Sequence, residues 1–195
     1  GVSHPLQKNR LTPEQIVIAN SSRVQEALRV IEEFTRITDP NLSKIATKIR
    51  YKTYEIELKI IKSKEGSNRR EILEASSICL ITSNIESLQE VVLQALKAGI
   101  KIIQYREKSL IDSKRIDQAK KLASLCRKYN SLFIINDRID ISLAVNADGV
   151  HLGQEDMPTQ IARKLLGPER IIGRSTHCLE EIKKAETEGC DYIGI

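Results

Sequence analysis

In the heptapeptide IIQYREK, Gln104, Arg106 and Lys108 fall at every second position. Side chains alternate in direction along a strand, so these three share one face. An amide and two cations aimed together from a strand's C-terminal end suit a phosphate or diphosphate. A solvated strand end would use the same residues. Farther on, FIINDRIDISLAVNADGVHLGQEDMP carries two apolar runs that each end in acid, one at Asn136-Asp137 and one at Gly153-Gln154-Glu155-Asp156. Neighbouring strands lie ~4.8 Å apart, so carboxylates at two adjacent strand ends can meet one cation. Magnesium held by Asp137 and Asp156, with substrate phosphate completing its octahedron, matches that ligand supply. The structural alternative pairs Asp137 with Arg138 or a neighbour and has Asp156 cap the helix that follows Pro158.

Ser175, in GRSTHC, follows a fifth apolar run, where its hydroxyl or backbone N–H can hold a phosphate at a helix start. The same serine would also serve as a plain N-cap for a helix over 179–188. His177 is a candidate base without an identified partner. His151 reads as packing and His4 as part of the tail.

The elements that must position these residues come in two rhythms. Residues 11–62 read as helices. Thr12-Pro13-Glu14-Gln15 is a helix start, with an N-cap hydroxyl, proline at the first helical position and Gln15 placed for a capping box. Val24, Ala27, Leu28, Ile31, Phe34 and Ile37 follow in steps of three and four. Asp39-Pro40-Asn41 breaks the pattern, and a second helical run over 42–61 carries Ile45, Ile49, Tyr54, Ile56 and Leu58. Two helices bury little surface by themselves, so this hairpin needs a partner. Residues 62–76, charged and polar around Gly66-Ser67-Asn68, read as a linker with part of REILEA helical. The domain organisation expected is thus 1–62 helical, 63–76 linker and 77–195 a second domain.

From residue 77 the chain alternates. Short apolar runs at 78–82, 100–105, 132–136, 149–152, 170–173 and 191–194 are separated by helical patterns at 85–98, 112–129, 159–166 and 179–188, with a shorter connection at 139–146. Continuously apolar strands alternating with helices indicate a parallel sheet covered by helices, α/β in class. An open doubly wound sheet and a (β/α)8 barrel both fit. No G-x-G-x-x-G follows the first strand, which lowers the dinucleotide reading. Polar residues gather at several strand C-termini, as barrel active sites require.

Composition narrows the function classes. The apolar fraction of 41% and charged fraction of 29% are globular, and no stretch approaches the ~20 apolar residues needed to cross a bilayer. No charged segment followed by an apolar one opens the chain, so no secretory signal is visible and the expected location is cytoplasmic. Four cysteines without a C-x-x-C pair support neither zinc nor a disulfide framework. A net charge of +5 with only 4% aromatics gives nucleic acid little to stack on; small anionic molecules remain as partners, and the membrane does not.

Taken together, QYREK, FIINDRIDISLAVNADGVHLGQEDMP, ARKLLGPERIIGRSTH and GCDYIGI resemble thiamine phosphate synthase, in order and spacing, from about residue 78 to 195. The resemblance implies a (β/α)8 TIM barrel. It also implies the joining of hydroxymethylpyrimidine diphosphate to a thiazole phosphate with release of pyrophosphate. By the resemblance, Gln104, Tyr105, Arg106, Glu107 and Lys108 line the pyrimidine diphosphate site and Asn136 contacts the same substrate. Asp137 and Asp156 bind Mg2+, and Ser175 binds substrate or pyrophosphate. Arg106, Lys108 and Ser175 are the expected catalytic groups. The helical region ANSSRVQEALRVIEEFTRI…NLSKIATKIRYKTYEIE resembles the second half of an N-terminal domain related to an alternative hydroxymethylpyrimidine phosphate kinase. Its polar positions Asn20, Arg23, Glu26, Arg29 and Glu33 take no assigned role, and Arg29 and Glu33 sit at ordinary salt-bridge spacing.

The family's Thr-x-Thr-Lys loop, its glycine-rich thiazole phosphate site and its last two strands lie beyond the pattern matched here. The expectation is therefore a barrel truncated after its sixth strand, inactive by itself. Two other readings compete. One is a relative of the thiazole tautomerase, which does not need the diphosphate and metal set. The other is a non-catalytic chain whose helical hairpin is an interaction module. The sequence does not give the oligomeric state.

Overall fold

The computed structural model describes residues 12–195, so His4 lies outside the described residues. The chain divides into two compact units after Lys64. In the first, α1 (Pro13–Thr38) starts as its sequence demands: Thr12 accepts a hydrogen bond from Gln15 N at 3.3 Å and Pro13 opens the helix. Asp39 ends α1 and at once begins α2 (Pro40–Glu74), its carboxylate accepting from the N–H groups of Asn41 (3.1 Å) and Leu42 (3.0 Å). Contacts run Glu32–Ser43, Glu32–Arg50 and Gln25–Glu57, the order of an antiparallel hairpin. Among its described residues only Thr35, Ser43 and Ala46 are buried, apart from Gly66 on the far side of the division. The periodic apolar residues Phe34 (79% exposed) and Ile37 (91%) face outward, as two unsupported helices require.

The expected linker is helical over most of its length. The segment 63–74 is the last part of α2. Its polar composition hides the helix because residues 65–74 belong to the second unit and are held by contacts within that unit. Arg69 donates to Asp148 at 2.9 Å, Arg70 donates to the carbonyl of Pro168, and Ile72 and Leu73 pack on Ile102, Leu132, Ile134 and Ile171. These outweigh the ~1 kcal/mol that one glycine costs a helix.

The second unit alternates strand and helix from β1 (Cys79–Ile81) through α3 (Leu88–Lys97), β2 (Ile102–Tyr105), α4 (Asp112–Lys128) and β3 (Leu132–Asn136). It continues through α5 (Ile139–Ala144), β4 (Gly149–Leu152), α6 (Thr159–Leu166), β5 (Ile171–Ser175), α7 (Leu179–Thr187) and β6 (Tyr192–Gly194). All six strands are parallel and lie in chain order. A doubly wound sheet needs a point where that order reverses, so the consecutive order decides for the barrel type. The sheet curls into a half-barrel, and Tyr192 on β6 packs against the inner cluster of Ile102, Leu132, Ile134 and Ile171 from β2, β3 and β5. The short connection expected at 139–146 is α5, a helix of six residues.

Alternation sorts the strands into two layers. Outward residues Ile103, Tyr105, Phe133, Ile135, Val150, Leu152 and Ile172 join Leu88, Val92, Leu122 and Ala162 of the helices in the main core. Inward residues are apolar near the strand starts (Ile102, Leu132, Ile134, Ile171) and polar near the ends (Gln104, Asn136, His151, Ser175).

Acids also stand before two strands, where they serve the scaffold. Asp148 accepts from Phe133 N at 2.9 Å and from Arg69. Asp191 accepts from Ile172 N at 2.8 Å and Arg163 Nη2 at 2.6 Å. Replacing Asp191 with alanine leaves the Ile172 N–H without its acceptor and removes the charged partner of Arg163, which keeps its bonds to the Gly167 and Arg170 carbonyls, at an expected cost of about 2 kcal/mol. Denaturant unfolding checks this. Asp191→Asn should cost less because the amide oxygen keeps the bond to Ile172, and equal midpoints for all three proteins would rule the device out.

Candidate active site

At the C-terminal ends of β2–β5 lies an open cleft of about 480 Å³. Its walls include Arg106, Lys108, Asn136, Asp137, Asp156 and Ser175, together with Gln154, Glu155 and both His151 and His177. Gln104 sits beneath it, buried, and donates to Asn136 Oδ1 at 2.9 Å. That bond fixes the Asn136 amide with its NH2 group free to point outward. Arg106 follows the last residue of β2, its backbone N–H held by Thr82 Oγ1 at 3.0 Å while its side chain is exposed.

Two residues expected as substrate contacts point elsewhere. Tyr105 is on the opposite face of β2 from Gln104. It is buried beside Phe133 and donates to Gln118 of α4 at 2.7 Å, and burial pushes its phenol up to about 12. Glu107 folds back to accept from Ser109 N, Ser109 Oγ and Leu110 N, shaping the loop after β2; those hydrogen bonds hold its carboxyl below the usual range despite its burial. Strand alternation explains Tyr105, and the loop's need for an acceptor explains Glu107.

Asp137 has a left-handed backbone, φ 64°, that a non-glycine residue adopts only at a cost. The turn places its carboxylate in the cleft that Asp156 also lines. Burial and then the neighbouring Asp156 raise its pKa above the ordinary value, opposed by Lys108 at 3.6 Å. Arg138 does not pair with Asp137; it grips Asp112 and Asp140, each bond 2.9 Å or shorter. Asp156 does not cap α6, whose N-cap is Pro158; its carboxylate instead accepts from Gly153 N at 2.6 Å. Two acids side by side in one cleft make a hard-oxygen donor pair of the kind that suits a divalent cation. Among the described residues no third His, Cys, Asp or Glu groups with them as a metal-binding set.

Ser175 ends β5, and its hydroxyl meets His151 Nε2 at 2.9 Å, so it is not the plain cap of α7, which begins after Cys178. His177 lies at the rim and pairs with Glu181 at 3.1 Å.

Residues 78–195 match the family described as "Thiamine monophosphate synthase". The chain belongs to that family. Residues 1–59 match the "ThiD2 family". A thiamine-phosphate synthase of Prochlorococcus marinus is 57% identical over 195 residues, covering 100% of this chain and 56% of that protein. The same-named protein of Parasynechococcus marenigrum is 50% identical over all of this chain and 56% of its own length. The chain thus spans about half the length of the curated relatives it matches. Among solved structures, thiamine phosphate pyrophosphorylase from Pyrococcus furiosus superposes with a TM-score of 0.56 at 40% identity, over 60% of this chain and 57% of that one.

In this member of the thiamine monophosphate synthase family, several residues that shape the cleft escape sequence reasoning. Arg174 is buried on the outward face of β5 and donates to the carbonyls of Met157 (3.0 Å) and Gln154 (3.3 Å), pinning the loop that carries Asp156. Gln154 in turn donates to the Ser175 carbonyl at 2.6 Å. His151, read as packing, faces the cleft. The available signal was parity: His151 pairs in register with Asn136 and Gly173, so it shares their inward face.

Proposed function

We propose that the protein carrying this chain is a thiamine phosphate synthase that condenses 4-amino-2-methyl-5-hydroxymethylpyrimidine diphosphate with thiazole phosphate. The observation that carries the reading is the meeting of paired acids, Asp137 and Asp156, with Arg106, Lys108 and Ser175 in one cleft of a family member. Asp137 and Asp156 would hold Mg2+, which would supply positive charge to the diphosphate. Arg106 and Lys108 bind the diphosphate oxygens and favour the charge that grows as the methylene–oxygen bond breaks. Gln104 and Asn136 orient the pyrimidine. The thiazole nitrogen then forms the new bond to the methylene carbon, and pyrophosphate leaves. No protein nucleophile is needed, since positioning and electrostatics supply the acceleration.

In the same reading, residues 1–62 are part of the kinase-related helical domain and the barrel domain begins near 77. Cytoplasmic residence fits four free cysteines, and no described helix is long and apolar enough to cross a membrane. The exposed apolar side of the helical hairpin favours a second reading, as an interaction module.

The test gives the full-length protein both substrates with and without magnesium and follows pyrophosphate. Magnesium-dependent release is expected. Thiazole tautomerisation without pyrophosphate release would transfer the chain to the tautomerase reading, and neither activity would leave the interaction module.

A further inference from the structure

His151 lies between two hydroxyls, with Nδ1 3.0 Å from Tyr192 Oη and Nε2 2.9 Å from Ser175 Oγ. The three residues come from β4, β5 and β6, and glycines on the facing strands make their slot. A Cβ on Gly173 would stand 2.1 Å from the Tyr192 ring and 2.5 Å from its hydroxyl, and one on Gly194 would stand 3.2 Å from the His151 ring. The slot is therefore built for this tyrosine and this histidine.

Counting protons decides how the chain of hydrogen bonds runs. His151 is largely buried between the two hydroxyls, and the neutral ring that such a slot favours carries one N–H. Among the described residues, the Tyr192 hydroxyl has no polar partner except Nδ1. If Nδ1 held the proton, the hydrogen of the half-buried tyrosine would have no protein acceptor among the described residues, and the bond to Nδ1 would be lost as a donor–acceptor pair from the tyrosine side. If Nε2 holds it, tyrosine donates to Nδ1, Nε2 donates to Ser175 Oγ, and both contacts of the ring are made with a donor facing an acceptor. The serine hydrogen then has no partner within the relay, and it faces the cleft that holds Arg106 and Lys108.

We infer that Tyr192 and His151 are positioning residues: through the order Tyr192→His151→Ser175 they fix the Ser175 hydroxyl as a hydrogen-bond donor toward an anionic group in the cleft. Its kinetic consequence rests on the synthase reading above, in which that group is the departing pyrophosphate. The relay makes Ser175 a committed donor, where a free serine would rotate between donating and accepting.

The experiment takes full-length protein labelled with 15N-histidine, assigns the His151 nitrogens by their loss in His151→Gln, and reads the tautomer from long-range 1H–15N correlations. Protonated Nε2 and bare Nδ1 are expected. Tyr192→Phe keeps the ring in its slot, and it should mix the tautomers and lower kcat for pyrophosphate release about tenfold with KM little changed. Added to Ser175→Ala, the same change should cost nothing further, whereas a structural role would add its own loss. A protonated Nδ1 in the unsubstituted protein overturns the relay, and so does a Tyr192→Phe protein with unchanged tautomer or kcat. Should the unsubstituted protein release no pyrophosphate, the synthase reading fails. The tautomer, together with the affinity for inorganic pyrophosphate of Tyr192→Phe relative to the unsubstituted protein, then decides the relay alone.

Discussion

Asp137→Asn is expected to reduce magnesium-dependent pyrophosphate release by two to three orders of magnitude, about the effect of losing a group that stabilises transition-state charge. Asparagine is the informative replacement because position 137 has φ 64° and asparagine tolerates the left-handed region. The backbone turn should survive while one of the two acid charges in the cleft goes. Stability should move the other way. The folded Asp137 carboxyl has a raised pKa, from burial and from Asp156, so the folded state holds its proton more tightly than the unfolded state does. Above that folded pKa the ionised group opposes folding, and a neutral amide removes the opposition. Without magnesium, Tm at pH 7 should therefore be unchanged or higher; with magnesium, the original protein should gain more Tm than the variant. Turnover within tenfold of the original would sink the metal assignment. A marked fall in Tm would make Asp137 a scaffold residue.

Gly149→Ala should destabilise the fold by about 3 kcal/mol or more, enough to leave most of a marginal domain unfolded. Gly149 opens β4, and a Cβ there would lie 2.1 Å from the Ile171 carbonyl oxygen and 2.8 Å from its carbon. Both are backbone atoms of the neighbouring strand, so no side-chain rotation relieves the contact, and β4 must part from β5. The cleft depends on that pairing, since His151 and Ser175 meet across it. Thermal unfolding followed by circular dichroism checks the expectation. A Tm within a few degrees of the original would mean that the strands can shift locally and that the close approach is not structural.

How much was legible beforehand depended on whether a signal was local. The strand runs, the helix start at Thr12-Pro13 and the break at Asp39-Pro40 were readable because turn chemistry and apolar periodicity act over a few residues. The continuation of α2 past residue 62 was not, because Arg69 and Arg70 find their partners 79 and 98 residues away. Within QYREK, parity separated inward Gln104 from outward Tyr105, and the resemblance to a family blurred that distinction by treating the motif as one unit. Glu107 escaped because the loop that needs its carboxylate has no outward sign in the motif.

By itself, then, the sequence determined an α/β chain of six strands in order, a helical hairpin before it, and a set of acids, cations and a serine at strand ends. These follow from side-chain type and from spacing along the chain. Tertiary structure alone decided the rest. Only the curled sheet brings Asp137 against Asp156 and Ser175 against His151, and only neighbouring strands decide whether Tyr192 has a slot to enter. Such meetings depend on residues far apart in sequence, and a local pattern carries no information about which strand will lie beside which.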